Sequence, residues 1–124
     1  MKLNKILGLY DGEEHLNVVD YHTHPGLRYR SISDYSAEDF YITHLRESFY
    51  NAITENKKLV LSLDYVAGYA PCFIDEIIGR LVYDFTLRKV KRYLKVISDE
   101  EPCWIDMIKN ETYSKWETKR KEKV

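Results

Sequence analysis

The chain has 124 residues, with 19 basic and 20 acidic side chains and a formal net charge of −1. That length predicts a single domain able to build a core without metals or disulfides, and the balanced charge gives no overall attraction to nucleic acid. No apolar run approaches the roughly 18 residues of a membrane span, KILGL is too short an apolar core for a secretory leader, and Cys72 and Cys103 make no disulfide framework; a reducing, cytoplasmic setting is expected.

In chain order, Leu3 to Tyr10 and Leu16 to Tyr21 read as two strands joined at Asp11-Gly12, a hairpin signal, with a short helix at KLNKILGL as the alternative. Residues 22–34 read as loop, broken by Pro25 and Gly26. Ser36 starts a helix, with Asp39 placed to return the bond of a capping box and Tyr35 and Phe40 spaced as a hydrophobic staple. Tyr41, Leu45, Phe49, Ala52 and Ile53 carry its apolar stripe, and Asn56 suits a left-handed stop. Leu59 to Val66 then forms a short apolar run of strand length, closed by Asp64 and a loop containing Gly68 and Pro71. From Phe73 the period becomes helical, with Ile74, Ile77, Ile78, Leu81, Val82 and Phe85 on one face. Leu94 to Ile97 is a further strand, followed by a helix carrying Trp104, Ile105 and Ile108, with Ser98 and Glu101 as a box-like pair and Pro102 at its start. Beyond Tyr113 the sequence is so charged that fraying is expected. The reading is one domain over residues 1–116, a charged tail over 117–124, and an α/β fold with helices packed on a small mixed sheet.

Several short motifs occur in an order that resembles the STAS-like family of unknown function, DUF4325. The central ones are Leu63-Asp64, Gly68-Tyr69, Phe73-Ile74-Asp75-Glu76, Gly79 and Leu81-Val82; upstream lie THPGLRYR (Thr23 to Arg30) and YSAEDF (Tyr35 to Phe40). The resemblance spans about residues 20 to 110, and the family's usual serine before the phenylalanine is Cys72 here. It implies a STAS-like domain of four to five strands with about three helices. It also implies a non-enzymatic regulatory, protein-binding role of partner-switching type, with a histidine-kinase-like ATPase as the kind of partner. The implied surface runs from Ala67 to Glu76, with Gly68, Tyr69, Cys72, Asp75 and Glu76 as the contact residues and no cofactor. Tyr69 and Glu76 are expected at the rim, outside the apolar stripe, and Cys72 at the helix start, where a serine would be the better cap.

Other residues carry competing readings. Arg28 and Arg30 suit phosphate or carboxylate recognition, with the Gly68 loop beside them, and so a small-ligand or nucleotide module; ordinary ion pairs with Asp34, Asp64 or Glu76 are the plainer alternative. His22 and His24 share a side of an extended chain and, with His44 or Cys72, would make a weak metal set; two loop histidines without a ligand are preferred. Asp75 and Glu76, about 100° apart on a helix, are not expected to converge on one group, and both are read as first-turn carboxylates. Tyr29, Tyr35, Tyr65 and Tyr69 gather in the loops and suit an interface or, equally, the plain filling of a small domain's rim. Lys119, Arg120, Lys121 and Lys123 read as a solvated run. A thiol enzyme at Cys72, or a defence- or antitoxin-associated role, is the third reading. No P-loop, dinucleotide fingerprint, nucleophile elbow or Cys-x-x-Cys occurs.

Overall fold

A computed structural model describes residues 2–123 and shows an α/β domain in which one three-stranded sheet carries its helices. The strands are β1 (Glu13–Asn17), β2 (Lys58–Ser62) and β3 (Leu94–Ile97), ordered β1-β2-β3 and parallel throughout. Six helices lie among the described residues: α1 (Lys2–Ile6), α2 (Val18–Tyr21), α3 (37–54), α4 (Pro71–Phe85), α5 (Leu87–Tyr93) and α6 (103–122). Both α3 and α6 are continuous through a π-helical turn, at Tyr41–Leu45 and Ile108–Thr112.

The register explains the layering. Leu16, Leu61 and Val96 lie side by side across the sheet, as do Leu59 and Leu94, and all belong to or pack on the apolar core. The alternate residues, among them His15, Val60 and Lys95, fall on the other face by the two-residue period of a strand. Only Val60 of those three is apolar, so the sheet is apolar toward the helices and largely polar on its back.

The expected N-terminal hairpin does not form. Leu3, Ile6 and Leu7 are spaced for a helix rather than for alternation, residues 2–6 are helical, and the strand at Glu13–Asn17 pairs parallel to β2. The mixed sheet of four to five strands is thus replaced, among the described residues, by three parallel ones. Leu3, Ile6, Leu7 and Leu9 remain exposed.

Helix α3 starts where the sequence places it. The Ser36 hydroxyl accepts the Asp39 backbone N–H at 3.1 Å. The Asp39 carboxylate accepts instead from Tyr21 and Arg30. Asn56 takes the left-handed conformation beyond the helix end, φ 54°. Helix α4 starts with Pro71 at its first positions, and its cap residue is Ala70, which offers no side-chain bond. Cys72 therefore lies inside the first turn rather than at the cap. Phe73, Ile74, Ile77, Ile78, Leu81 and Val82 are fully buried.

The charged end of the chain is also ordered differently from expectation. Tyr113–Glu122 is helical and packs along α4, and Trp116 is buried between them. Gly79 makes this possible: a β-carbon there would occupy the space of the Trp116 indole. The Ser98–Glu101 pair is a turn bond rather than a cap, since the Ser98 hydroxyl donates to the Glu101 carbonyl and the helix begins at Cys103.

Candidate functional site

The densest polar cluster lies where α4 meets α6. Asp75 and Glu76 are 6% and 2% exposed. One guanidinium nitrogen of Arg28, Nη1, donates to both, at 2.8 Å to Asp75 Oδ2 and 2.9 Å to Glu76 Oε1. The two neighbouring carboxylates do converge, contrary to the angular argument, because the cation comes from a loop that reaches the seam between them. Asp75 also accepts from Lys115 Nζ at 2.9 Å, Thr112 Oγ1 at 3.1 Å and Trp116 Nε1 at 3.2 Å. Arg80 stands 3.3 Å from the other Glu76 oxygen.

Burial pushes the Asp75 carboxyl up, but the bonds from Lys115, Arg28 and Trp116 outweigh it and hold the acid below the usual carboxylate range. Neither acid stands in the first turn of α4, so the dipole account fails for both. The site is a saturated ion-pair hub, and its carboxylates are committed to holding α6 and the 26–30 loop against α4. Glu76 is not a rim residue. Tyr69 is half-buried as well: its hydroxyl donates to the Leu63 carbonyl at 2.7 Å, and its ring packs against Phe73 and Trp104.

Other motif residues have comparable structural duties. Asp64 is buried and accepts from the backbone N–H groups of Asp99 and Glu100 at 3.2 and 3.0 Å, tying the loop after β2 to the loop after β3. Gly68 has open space around its α-carbon. Cys72 is half-buried and shares a recess of about 310 Å³ with Arg28, Asp75, Met107 and Lys115. Arg28 faces carboxylates of its own chain, the expected Glu76 and also Asp75, and Arg30 pairs at 2.8 Å with Asp39, which is not among the expected partners.

The histidines are drawn into packing. His22 stacks on Tyr35 with ring centres 3.7 Å apart, and its Nδ1 accepts the His24 backbone N–H at 2.9 Å. His44 packs edge-on against Tyr21. Among the described residues no group of three or more His, Cys, Asp or Glu side chains is placed to hold a metal ion.

Three exposed tyrosines stand in the loops at the carboxyl ends of the strands. Tyr65 is 75% exposed, Tyr35 48% and Tyr29 44%. Tyr65 and Tyr35 both sit in the left-handed region, at φ 67° and 51°, a conformation unusual for a bulky side chain. Tyr65 is fixed there by its N–H, which donates to Glu100 Oε1 at 2.6 Å. The loop after β2 is joined to the loop after α2 by the Ala67 N–H bond to the Thr23 carbonyl at 2.8 Å. The sequence names these tyrosines as a group but not their strained backbone. Lys115, Thr112 and Trp116 were missed, and the lone glycine in the middle of α4 is the one sequence signal that points to them.

A small parallel α/β domain with three of its exposed tyrosines in the loops at the carboxyl ends of the strands is the class these features define. The STAS-like domain of unknown function, DUF4325, matches residues 43–104, and the chain belongs to that family. No curated protein and no solved structure matches it. No helix among the described residues is long and apolar enough to cross a membrane.

Proposed function

We propose that this chain is a non-enzymatic protein-binding module whose docking face is the loop edge bearing Tyr29, Tyr35 and Tyr65. The observation that carries this reading is the pair of exposed tyrosines, 35 and 65, held in left-handed backbone. Strain of this kind is sustained by the surrounding structure and gathers at binding sites, and tyrosine supplies apolar area and a hydroxyl at little cost in side-chain entropy. The contact set shifts accordingly: Gly68 and Tyr65 belong to the face, Cys72 lies at its margin, and Asp75, Glu76 and Tyr69 support it from within. A regulatory role of partner-switching type, with an ATPase of the histidine-kinase class, is the form that the family resemblance favours.

Site-specific photo-crosslinking in the native cell tests the proposal. A benzophenone amino acid at position 65 is expected to trap a defined protein. The same group at Tyr50, which is 57% exposed on α3, is expected to trap none. Equal trapping at both positions, or none at 65, rejects the reading. Calorimetry with ATP, GTP and phosphate addresses the small-ligand alternative at Arg28 and Arg30; binding abolished by Arg30→Ala would favour it.

A further inference from the structure

Among the described residues the outer edge of β3 is unpaired in a sheet ordered β1-β2-β3. The Leu63 N–H donates to the Ile97 carbonyl at 2.8 Å. In a parallel pair the main-chain groups of alternate residues turn the same way, so Lys95 and Ile97 address β2 while the N–H and C=O of Val96 point outward. Beside this edge α6 stands off and leaves two adjoining recesses, about 550 and 520 Å³, that share Lys95, Val96 and Ile105. Leu94, Val96, Ile105 and Ile108 give the first an apolar floor.

Its charge is one-sided. Lys91, Lys95 and Lys109 rim the first recess and no acidic residue lines it. Among the described residues none of the three has an ion-pair partner; Lys91 sits 5.9 Å from the Tyr113 ring centre. Asp99 and Asp106 line the second recess, at the other end of the strand. An unpaired strand edge, an apolar floor and a cationic rim are together the requirements of strand addition by an extended segment with alternating apolar and acidic residues.

We infer that the β3 edge is a second binding site, which takes an extended acidic peptide segment of a protein partner as a fourth strand, its carboxylates over Lys91, Lys95 and Lys109. The exposed apolar residues near the N-terminus of a second copy are the weaker occupant, because Lys5 among them meets the same lysines. The site lies on a different edge from the tyrosine loops and does not depend on them.

The experiment uses two dye-labelled seven-residue peptides, one alternating valine with glutamate and one alternating valine with lysine, titrated against the full chain by fluorescence anisotropy. The glutamate peptide is expected to bind at least about tenfold more tightly, as complementary charge across an interface requires. Lys95→Glu with Lys109→Glu, both exposed positions whose replacement leaves the core intact, is expected to reverse that order. The Val96 amide, read by hydrogen exchange, is expected to become protected when the glutamate peptide binds. Equal affinity for both peptides overturns the proposal, as does an unprotected Val96 amide in the saturated complex. Protection of Val96 in the free protein that grows with protein concentration assigns the edge to a second copy instead. Saturation by laurate, with the glutamate peptide unable to displace it, assigns the recess to a small amphiphile.

Discussion

Gly79 and Trp116 interlock. The missing β-carbon of the one is the space filled by the indole of the other, and this notch seats the last helix on α4. Alanine is a better helix former than glycine by about 1 kcal/mol, yet Gly79→Ala is expected to lower stability by about 1–3 kcal/mol through overpacking. Urea denaturation checks it. In a Trp116→Leu background the same change is expected to cost much less, since contacting residues couple; an equal cost in both backgrounds would remove the indole as the cause.

Arg28→Ala strips one cation from two buried acids that keep Lys115 and Arg80. Breaking a fully buried pair costs about 3–5 kcal/mol. With the Arg28 side chain 27% exposed, a loss of about 2–3 kcal/mol is expected. Arg30→Ala, which breaks the exposed pair with Asp39, is expected to cost less than about 1 kcal/mol. Thermal denaturation of the two variants side by side distinguishes a hub from a surface bridge.

The same hub predicts acid sensitivity. The folded state holds the Asp75 carboxyl below its ordinary value of 3.8, so folding favours the ionised form. Its contribution is fully present above the unfolded value and is lost as pH falls through 3.8 toward the lower folded value. Asp75→Asn is expected to be less stable near neutral pH, and its stability should fall less steeply from about pH 5 downward. Parallel pH profiles for the two proteins would assign the acid transition to other groups.

Tyr65→Gly separates stability from recognition. Left-handed backbone costs a side-chain-bearing residue about 1–2 kcal/mol, and the Tyr65 bond to Glu100 uses the backbone N–H, which glycine keeps. The greater freedom of glycine in the unfolded chain offsets part of the relief, by about 0.4–1 kcal/mol. The variant is expected to be at least as stable as the parent and to lose partner capture. Destabilisation by more than about 1 kcal/mol would mean that the exposed ring contributes to packing.

Periodicity made the middle of the molecule legible. Leu59 to Leu63, the apolar face of α4 and the short run at Leu94 announce β2, α4 and β3, and Ser36 and Asn56 bracket α3 by local chemistry alone. The ends were not legible for two different reasons. Asp11-Gly12 resembles a hairpin turn, but the strand that follows it pairs parallel to β2 from far along the chain. The segment after Tyr113 shows almost no apolar pattern because a single deeply buried side chain, Trp116, anchors it, and its socket lies in another helix. The burial of Asp75 and Glu76 was hidden similarly: their partners come from loop residue Arg28 and from Thr112, Lys115 and Trp116, and no linear spacing records that meeting.

The reach of that hub has a kinetic consequence. Asp75 and Glu76 join residues 37 to 48 positions away in the chain, upstream through Arg28 and downstream through α6. Such closures cost chain entropy before any bond rewards them; the pairing of Glu13 with Lys58 bears a similar cost, but it buries the apolar core as it forms, whereas the hub adds only polar bonds. The hub is therefore expected to assemble after the rate-limiting step of folding, which stopped-flow kinetics of Arg28→Ala check. Interactions absent from the transition state act on the escape rate and leave the refolding rate almost unchanged. Arg28→Ala is thus expected to speed unfolding and to leave the refolding rate almost unchanged; a refolding rate slowed as much as unfolding is speeded would place the hub in the folding nucleus.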